Sequence, residues 1–311
     1  MNYPTTNSKH VKELFTQALE EIVKPAPSVK IPEWNSFTKA TRGFRPREYS
    51  IFCGGTGIGK TTWIANLSAS LLLQQVPQFV ASVETGYTDF IKRVISVLIK
   101  QDVNTGDPVD LSKLAPQISA ITGLIKNSNL FLSLYENRFS VETLMEEIEY
   151  HVLHYGVKIA IIDNLNFFME VTSAKDSIVE MDRVIHELII FCKRVDVHIV
   201  MVQHPKKTDD GRVESEFDVK GSSTCVQEAH NVFLYNRCKR SDVEAGTFKS
   251  TDRELTIAKM RRGGRYVGDK IYFDGESGVV LNEIGLVQAN KPKTETRKVY
   301  RPYGKTIYGN D

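Results

Sequence analysis

With 311 residues, 41% hydrophobic and 25% charged, the chain is long enough to bury a full core and has the composition of a soluble globular protein of one or two domains. A net charge of +2 argues against a globally basic nucleic-acid binder. No apolar run reaches the length of a membrane span, and the polar start "MNYPTTNSKHVKELF" lacks a signal-peptide core.

Residues 8–23, "SKHVKELFTQALEEIV", carry Val11, Leu14, Phe15, Leu19, Ile22 and Val23 at helical spacing, which predicts an amphipathic helix. "KPAPSVKIPEW" then interrupts it with three prolines and reads as an extended linker, so the helix stands outside the main core and is free to dock on its own subunit or a neighbour. From 45 to about 285 strands and helices alternate, which predicts an α/β fold with a mainly parallel central sheet flanked by helices. The strand candidates are "YSIFCG", "QFVASVE", "NLFLSLY", "KIAIIDN", "VHIVMVQ", "HNVFLYN" and "ELTIAKM". "YVGDKIYFDGESGVVLNEI" turns at Asp274-Gly275-Glu276 and reads as a hairpin at the sheet edge. The last stretch, with six Lys or Arg against two acids, reads as a flexible basic tail. The expected division is a helix and linker over 1–30, one domain over 31–286 and the tail over 287–311. The four cysteines, Cys53, Cys192, Cys225 and Cys238, lie far apart without zinc-site spacing, which fits reduced thiols in a cytosol-like compartment.

The most specific motif is "CGGTGIGKTTWIANL", residues 53–67, which sits between an apolar strand and an apolar helix. Gly54, four residues, then Gly59-Lys60-Thr61 fits the P-loop spacing. A loop poor in Cβ atoms can turn its N–H groups inward around an anion, and the helix N-terminus adds partial positive charge. The nucleotide-binding set is therefore Gly54, Gly55, Thr56, Gly57, Ile58, Gly59, Lys60, Thr61 and Thr62. Lys60 can reach the β- and γ-phosphates of ATP or another NTP, and the Thr61 hydroxyl can ligate Mg²⁺.

Weaker signals gain meaning beside that loop. "KIAIIDNL" is an apolar strand ending in Asp163, a carboxylate able to hold Mg²⁺ if its strand lies beside the P-loop strand. "FVASVETGY" ends a strand with Glu84, which can polarise the water attacking the γ-phosphate; a solvated Glu at a helix start is the plainer alternative. "VHIVMVQHPKK" ends a strand with Gln203, which can sense the γ-phosphate, and with His204, read as a polar strand-end residue rather than a base. "DVKGSSTCVQEAHN" places Lys220, Gly221 and Ser222 in a loop that can follow a phosphate backbone or simply face solvent. "LTIAKMRRGGRYVGDK" puts Lys259 and Arg261 two apart on a strand and hence on one face, with Arg262 and Arg265 behind them; that face can stabilise phosphate charge or be a solvated basic turn.

These pieces, in this order over roughly residues 30–285, resemble the hexameric replicative helicases of the DnaB type, including mitochondrial Twinkle and the helicase part of a phage primase-helicase. "SVETGY" resembles the motif with the catalytic Glu, "AIIDNL" the Walker B strand, and "VMVQHPKK" the third motif. "KGSSTCVQEAHNVFLYNR" resembles the motif of the DNA-binding loop, and "IAKMRRGG" the Lys-x-Arg finger that acts on a neighbour's nucleotide. The resemblance implies a RecA-like fold, a homo-hexameric ring with ATP sites between subunits, translocation on single-stranded DNA, and a linker helix at 8–23 that docks on the adjacent subunit. It implies a primase or polymerase as a further partner, no membrane, and a cytoplasmic setting, that of the bacterial host if the chain is phage-encoded. The family's N-terminal helical domain is expected to be missing, and His230 stands where an acid is usual. The competing readings are a RecA-like recombination or repair ATPase that does not unwind, and an ATP-regulated oligomer.

Overall fold

The structure is a computed structural model and describes residues 10–25, 27–82, 84–133, 140–164, 174–206, 212–220, 223–262 and 266–287. Helix α1 (Val11–Val23) begins where the His10 side chain accepts a hydrogen bond from Lys12 N, and its apolar stripe stays exposed. The chain then enters the body at Ile31 and Trp34, both buried, and forms a short helix, α2 (Asn35–Thr41). That helix is absent from the sequence reading. Trp34 supplies no side-chain cap; the carboxylate of Glu283, 247 residues on, accepts from Ser36 N at 2.7 Å and Phe37 N at 3.1 Å instead.

The remaining elements follow as β1 (Tyr49–Gly54), α3 (Lys60–Leu73), β2 (Gln78–Ser82), α4 (Tyr87–Ile99), α5 (Ala115–Lys126), β3 (Leu130–Ser133) and α6 (Val141–Tyr155). After them come β4 (Ile159–Asp163), α7 (Ala174–Val195), β5 (His198–Gln203), α8 (Ser223–Glu228), β6 (Asn231–Arg237), α9 (Arg240–Glu244), β7 (Arg253–Met260), β8 (Lys270–Asp274) and β9 (Asn282–Val287). The strands form one nine-stranded sheet in the order β3-β2-β4-β5-β1-β6-β7-β8-β9. From β3 to β6 every pairing is parallel, and β7, β8 and β9 are added antiparallel. All seven strand candidates and the edge hairpin are present. β9 runs to Val287, one residue past the expected domain end, and the tail beyond it lies outside the described residues. No helix among the described residues is long and apolar enough to cross a membrane.

Strand alternation divides the core between the two faces of the sheet. Ile51 and Cys53 of β1 join Leu144 and Ile148 of α6 and Val184 and Leu188 of α7. Phe52 joins the other cluster, with Phe37 of α2 and Trp63 and Leu67 of α3. Helix α3 is buried on nearly all sides, which explains why its sequence is apolar all round rather than striped. Trp63 stacks on Phe52 at 4.2 Å and on Trp34 at 5.3 Å, and Trp34 Nε1 donates to Leu281 O at 3.1 Å. Asn66 ties α3 to the hairpin through Val279 O and Leu281 N. One aromatic cluster thus joins the linker end, the P-loop helix and the edge hairpin.

Because Trp34 is a large, fully buried side chain in that cluster, Trp34→Ala is expected to lower stability by about 3–5 kcal/mol. Urea unfolding checks this, with early amide exchange at Leu281 as the local signature.

Candidate active site

The parallel sheet brings the carboxyl ends of β2, β4, β5 and β1 to one edge, where ligands of open α/β sheets bind. β1 ends in Gly54 with no room for a Cβ: one placed there would lie 2.4 Å from Ile58 Cδ1 and 2.7 Å from Tyr235 O. The loop closes at Gly59, whose φ of +95° is the left-handed entry to α3. Lys60 follows at the first position of α3, buried, and its Nζ donates to Gly55 O at 2.8 Å. Arg253, at the start of β7, donates from Nε to Ile58 O at 2.7 Å and fastens the loop from the far side.

Asp163 does not come from the strand next to β1, as expected from the sequence. β5 lies between, and Gln203 at its end pairs in register with Cys53. Asp163 reaches the site from one strand further out. Its Oδ1 is buried without a hydrogen-bond partner among the described residues. Burial, then the charge of Glu84, pushes its pKa up to about 6, against the pull of Lys60. Both amide atoms of Gln203 are likewise buried and unpartnered. Such orphaned polar atoms carry a desolvation penalty that a bound ligand can remove.

Glu84 lies just past β2, and Asn164 Nδ2 donates to its Oε2 at 3.1 Å. His204 stands between cation and anion: Nδ1 is 3.4 Å from Lys60 Nζ, and Nε2 is 3.6 Å from Glu84 Oε2. Burial and then the Lys60 charge lower the His204 pKa, so the ring is neutral at pH 7, with Nδ1 as acceptor and Nε2–H facing Glu84. Burial lowers the Lys60 pKa too, opposed by Asp163 and Glu84. His204 therefore has a larger place than a strand-end residue. Asn164 and Arg253 were missed. Asn164 was visible only as the neighbour of Asp163, and Arg253 carried no motif signal.

The other named residues lie elsewhere. Lys220 is linked to the site by its backbone, N–H to His204 O at 3.2 Å, beside a bridge between Pro205 and Val219. Gly221 and Ser222 lie outside the described residues. The stretch read as a loop between strands continues into α8. Lys259 and Arg261 stand at the opposite edge of the sheet from the P-loop: Leu255 is level with Tyr235 and Gly54, whereas Met260 is level with Asn231 and Ser50. Four to six residues of strand place them about 13–20 Å from the level of Gly54. There Lys259 Nζ donates to Val226 O and Gln227 O, at 2.7 and 2.6 Å, and Arg261 Nη2 donates to Gln227 O at 2.6 Å. Arg262 lies 3.5 Å from the buried Glu48, and Arg265 is outside the described residues. His230 accepts from Tyr49 N at 3.1 Å, and burial pushes its pKa down to about 4, so it serves there as a neutral acceptor. A further cleft of about 630 Å³ borders the P-loop, lined by Thr56, Ile58, Arg212, Asn236, Arg237 and Lys239 among others.

A P-loop on β1, a carboxylate on β4 and a polar amide on β5 of a mainly parallel sheet define a RecA-like P-loop ATPase fold. Residues 32–277 match the DnaB-like helicase C terminal domain, and the chain belongs to that family of ATP-hydrolysing helicase domains. Two solved structures share the fold at 19% sequence identity. One is of a DnaB-like replicative helicase and its interactions with primase, with a TM-score of 0.68 over 86% of this chain. The chain spans 65% of that protein's length. The other is an ATPase domain, with a TM-score of 0.69 over 91% of this chain and 100% of its own.

The raised Asp163 pKa has a definite sign for stability. The folded value, about 6, exceeds the ordinary 3.8, so the contribution is fully present below about pH 4 and is lost as pH rises through about 6. Asp163→Asn is therefore expected to make the nucleotide-free protein more stable than the wild type above pH 6, by about 1–3 kcal/mol at pH 7, with the difference vanishing near pH 4. Thermal melts from pH 4 to 8 check this.

Proposed function

We propose that this protein is an ATP-dependent replicative DNA helicase that assembles as a hexameric ring, translocates on single-stranded DNA and unwinds duplex DNA. The observation that carries the reading is the split site. The P-loop, Glu84, Asp163 and Gln203 share one edge of the sheet, and the paired cations Lys259 and Arg261 stand at the other. Such cations are out of reach of their own P-loop and in place to serve a neighbour's.

Within one interface the roles follow from the chemistry. Backbone N–H groups of residues 54–59 and the Lys60 ammonium bind the phosphates, and the cleft beside Thr56 and Arg237 takes the nucleoside. Thr61 and Asp163 would hold Mg²⁺; the unpartnered, buried Asp163 Oδ1 fits a cation that has lost part of its water shell. Bound there, Mg²⁺ would supply charge neutralisation at the phosphates. Glu84 accepts the proton of the attacking water, Gln203 senses the γ-phosphate with its free amide, and Arg261 of the next subunit stabilises the transferring group. The bond from Lys220 N to His204 O gives a direct route from the phosphate site to a DNA loop at Lys220, Gly221 and Ser222.

The exposed stripe of α1 is the natural contact between copies. A groove of about 740 Å³ beside α4 is lined by Ile95, Val103, Val109, Leu111 and Ile118 together with polar residues that include Glu84, Asp89 and Arg93, and Arg93 Nε has no hydrogen-bond partner among the described residues. It suits Leu14, Phe15 and Leu19 of a neighbouring α1. The same reading assigns residues 1–30 to the linker, 31–286 to the ATPase domain and 287–311 to a basic tail. It also includes a primase or polymerase partner and a cytoplasmic, phage-linked setting.

ATP hydrolysis with and without single-stranded DNA, followed by unwinding of a forked duplex, tests the reading. DNA-stimulated hydrolysis with unwinding is expected; stimulation without unwinding favours a recombination ATPase, and no stimulation favours an ATP-regulated oligomer. Lys60→Ala is expected to abolish hydrolysis with the fold intact, and Glu84→Gln to bind nucleotide without turnover.

An arginine finger is worth a factor of roughly 10³–10⁵ in rate, so Arg261→Ala alone is expected to be nearly inactive. Mixing it with Lys60→Ala subunits should restore part of the activity, because one interface type then joins an intact P-loop to an intact finger. Wild-type turnover by Arg261→Ala in the presence of single-stranded DNA excludes the assignment.

A further inference from the structure

Glu84 is a base in need of a holder. It lies beyond the end of β2, its side chain is 46% exposed, and its charge acts on the buried Asp163 as a like charge. Repulsion of that kind turns an untethered carboxylate toward water. Asn164 opposes it. This side chain is buried, directly follows Asp163, and donates from Nδ2 to Glu84 Oε2 at 3.1 Å.

We propose that Asn164 is a positioning residue that holds the Glu84 carboxylate over the reaction site. The inference rests on the reading of Glu84 as the base. A neutral amide is the right chemistry for the task. A Lys or Arg in its place would form an ion pair with Glu84 and weaken it as a proton acceptor, and an acid would add a third like charge beside Asp163. The bond engages Oε2, and Glu84 Oε1 has no hydrogen bond among the described residues, so one oxygen is tethered while the other stays available for the proton of water. His204 Nε2, 3.6 Å from the same Oε2, is a second and looser contact. Because the tether comes from the strand-end turn that also carries Asp163, it fixes the base relative to the carboxylate nearest the phosphates.

The test is steady-state ATP hydrolysis in the presence of single-stranded DNA by Asn164→Ala, Asn164→Ser, Glu84→Gln and the double variant Asn164→Ala/Glu84→Gln. Fluorescent-nucleotide binding and Mg²⁺ titration of each variant accompany it. For Asn164→Ala, kcat is expected to fall about 10–100-fold, as for a misplaced catalytic group. KM for ATP, nucleotide affinity and the half-maximal Mg²⁺ concentration should stay within about 2-fold. Asn164→Ser, which keeps a shorter donor, should fall between. In the Glu84→Gln background, removal of Asn164 should have no further effect, since residues acting as a unit are not additive. If Glu84→Gln turns over normally, the base assignment fails and this proposal with it. If Glu84→Gln is inactive while Asn164→Ala keeps a kcat within about 2-fold of wild type, the positioning role alone is overturned. A fall in nucleotide affinity or a changed Mg²⁺ requirement in both Asn164 variants overturns it too, in favour of a structural role in supporting Asp163.

Discussion

The site depends on one buried cation. Lys60 sits at the first turn of α3, under the loop it helps to close, and its ammonium is held by Gly55 O. Burial penalises that charge, and the carboxylates of Asp163 and Glu84 oppose the penalty, with the acceptor nitrogen of His204 beside them. The neighbouring groups share the penalty. Asp163 is pushed toward its neutral form, His204 is kept neutral, and the Gln203 amide is left without a partner. These demands differ in kind, and the proposed phosphate group with its counter-cation would answer them together. A site so arranged suits a bound phosphate with its cation better than it suits its own side chains alone.

Strand direction decides what cannot meet. The parallel strands put their carboxyl ends on the nucleotide edge, whereas β7 runs antiparallel and delivers Lys259 and Arg261 to the far edge. That far edge is braced by its own polar network: buried Glu48 receives Arg45 and Asn231, Ser50 pairs with His198, and His198 Nδ1 lies 2.6 Å from Arg45 O. Such a network, with nearly every member satisfied, holds the starts of β1, β5 and β6 in fixed register. Lys259 and Arg261 rest on the last carbonyls of α8, whose other end adjoins the Lys220 loop. The sheet thus carries its candidate phosphate site and the paired Lys259 and Arg261 at opposite ends of its strands.

Much of this was legible in the residues. Strand-length runs rich in Ile, Val and Phe marked the strands, and where a run ended in a polar residue, as at Asp163 and Gln203, it marked a candidate functional end as well. The reason is that a parallel sheet is buried on both faces and exposes chemistry only at its ends. Gly54 to Thr61 was readable because the spacing of a phosphate loop is set by local backbone geometry. Asp163 and Gln203 needed only the rule that they end strands; Glu84 stands two residues past the end of β2.

What tertiary structure alone decided involves partners distant in the chain. Strand order is settled by which hydrophobic faces pack, so that β5 came between β4 and β1 was invisible in periodicity. The cap of α2 comes from Glu283, the latch on the P-loop from Arg253, and the tether on Glu84 from Asn164, at sequence separations of 247, 195 and 80 residues. Each is a single hydrogen bond or a pair of them, with no period and no motif, and exists only after the sheet has brought the two ends together. The sequence by itself nominated the candidates for the chemistry, through local spacing and strand-end position. The fold decided which of them meet, which are held, and that Lys259 and Arg261 face away from their own nucleotide edge, because contact across a sheet is set by strand order and direction.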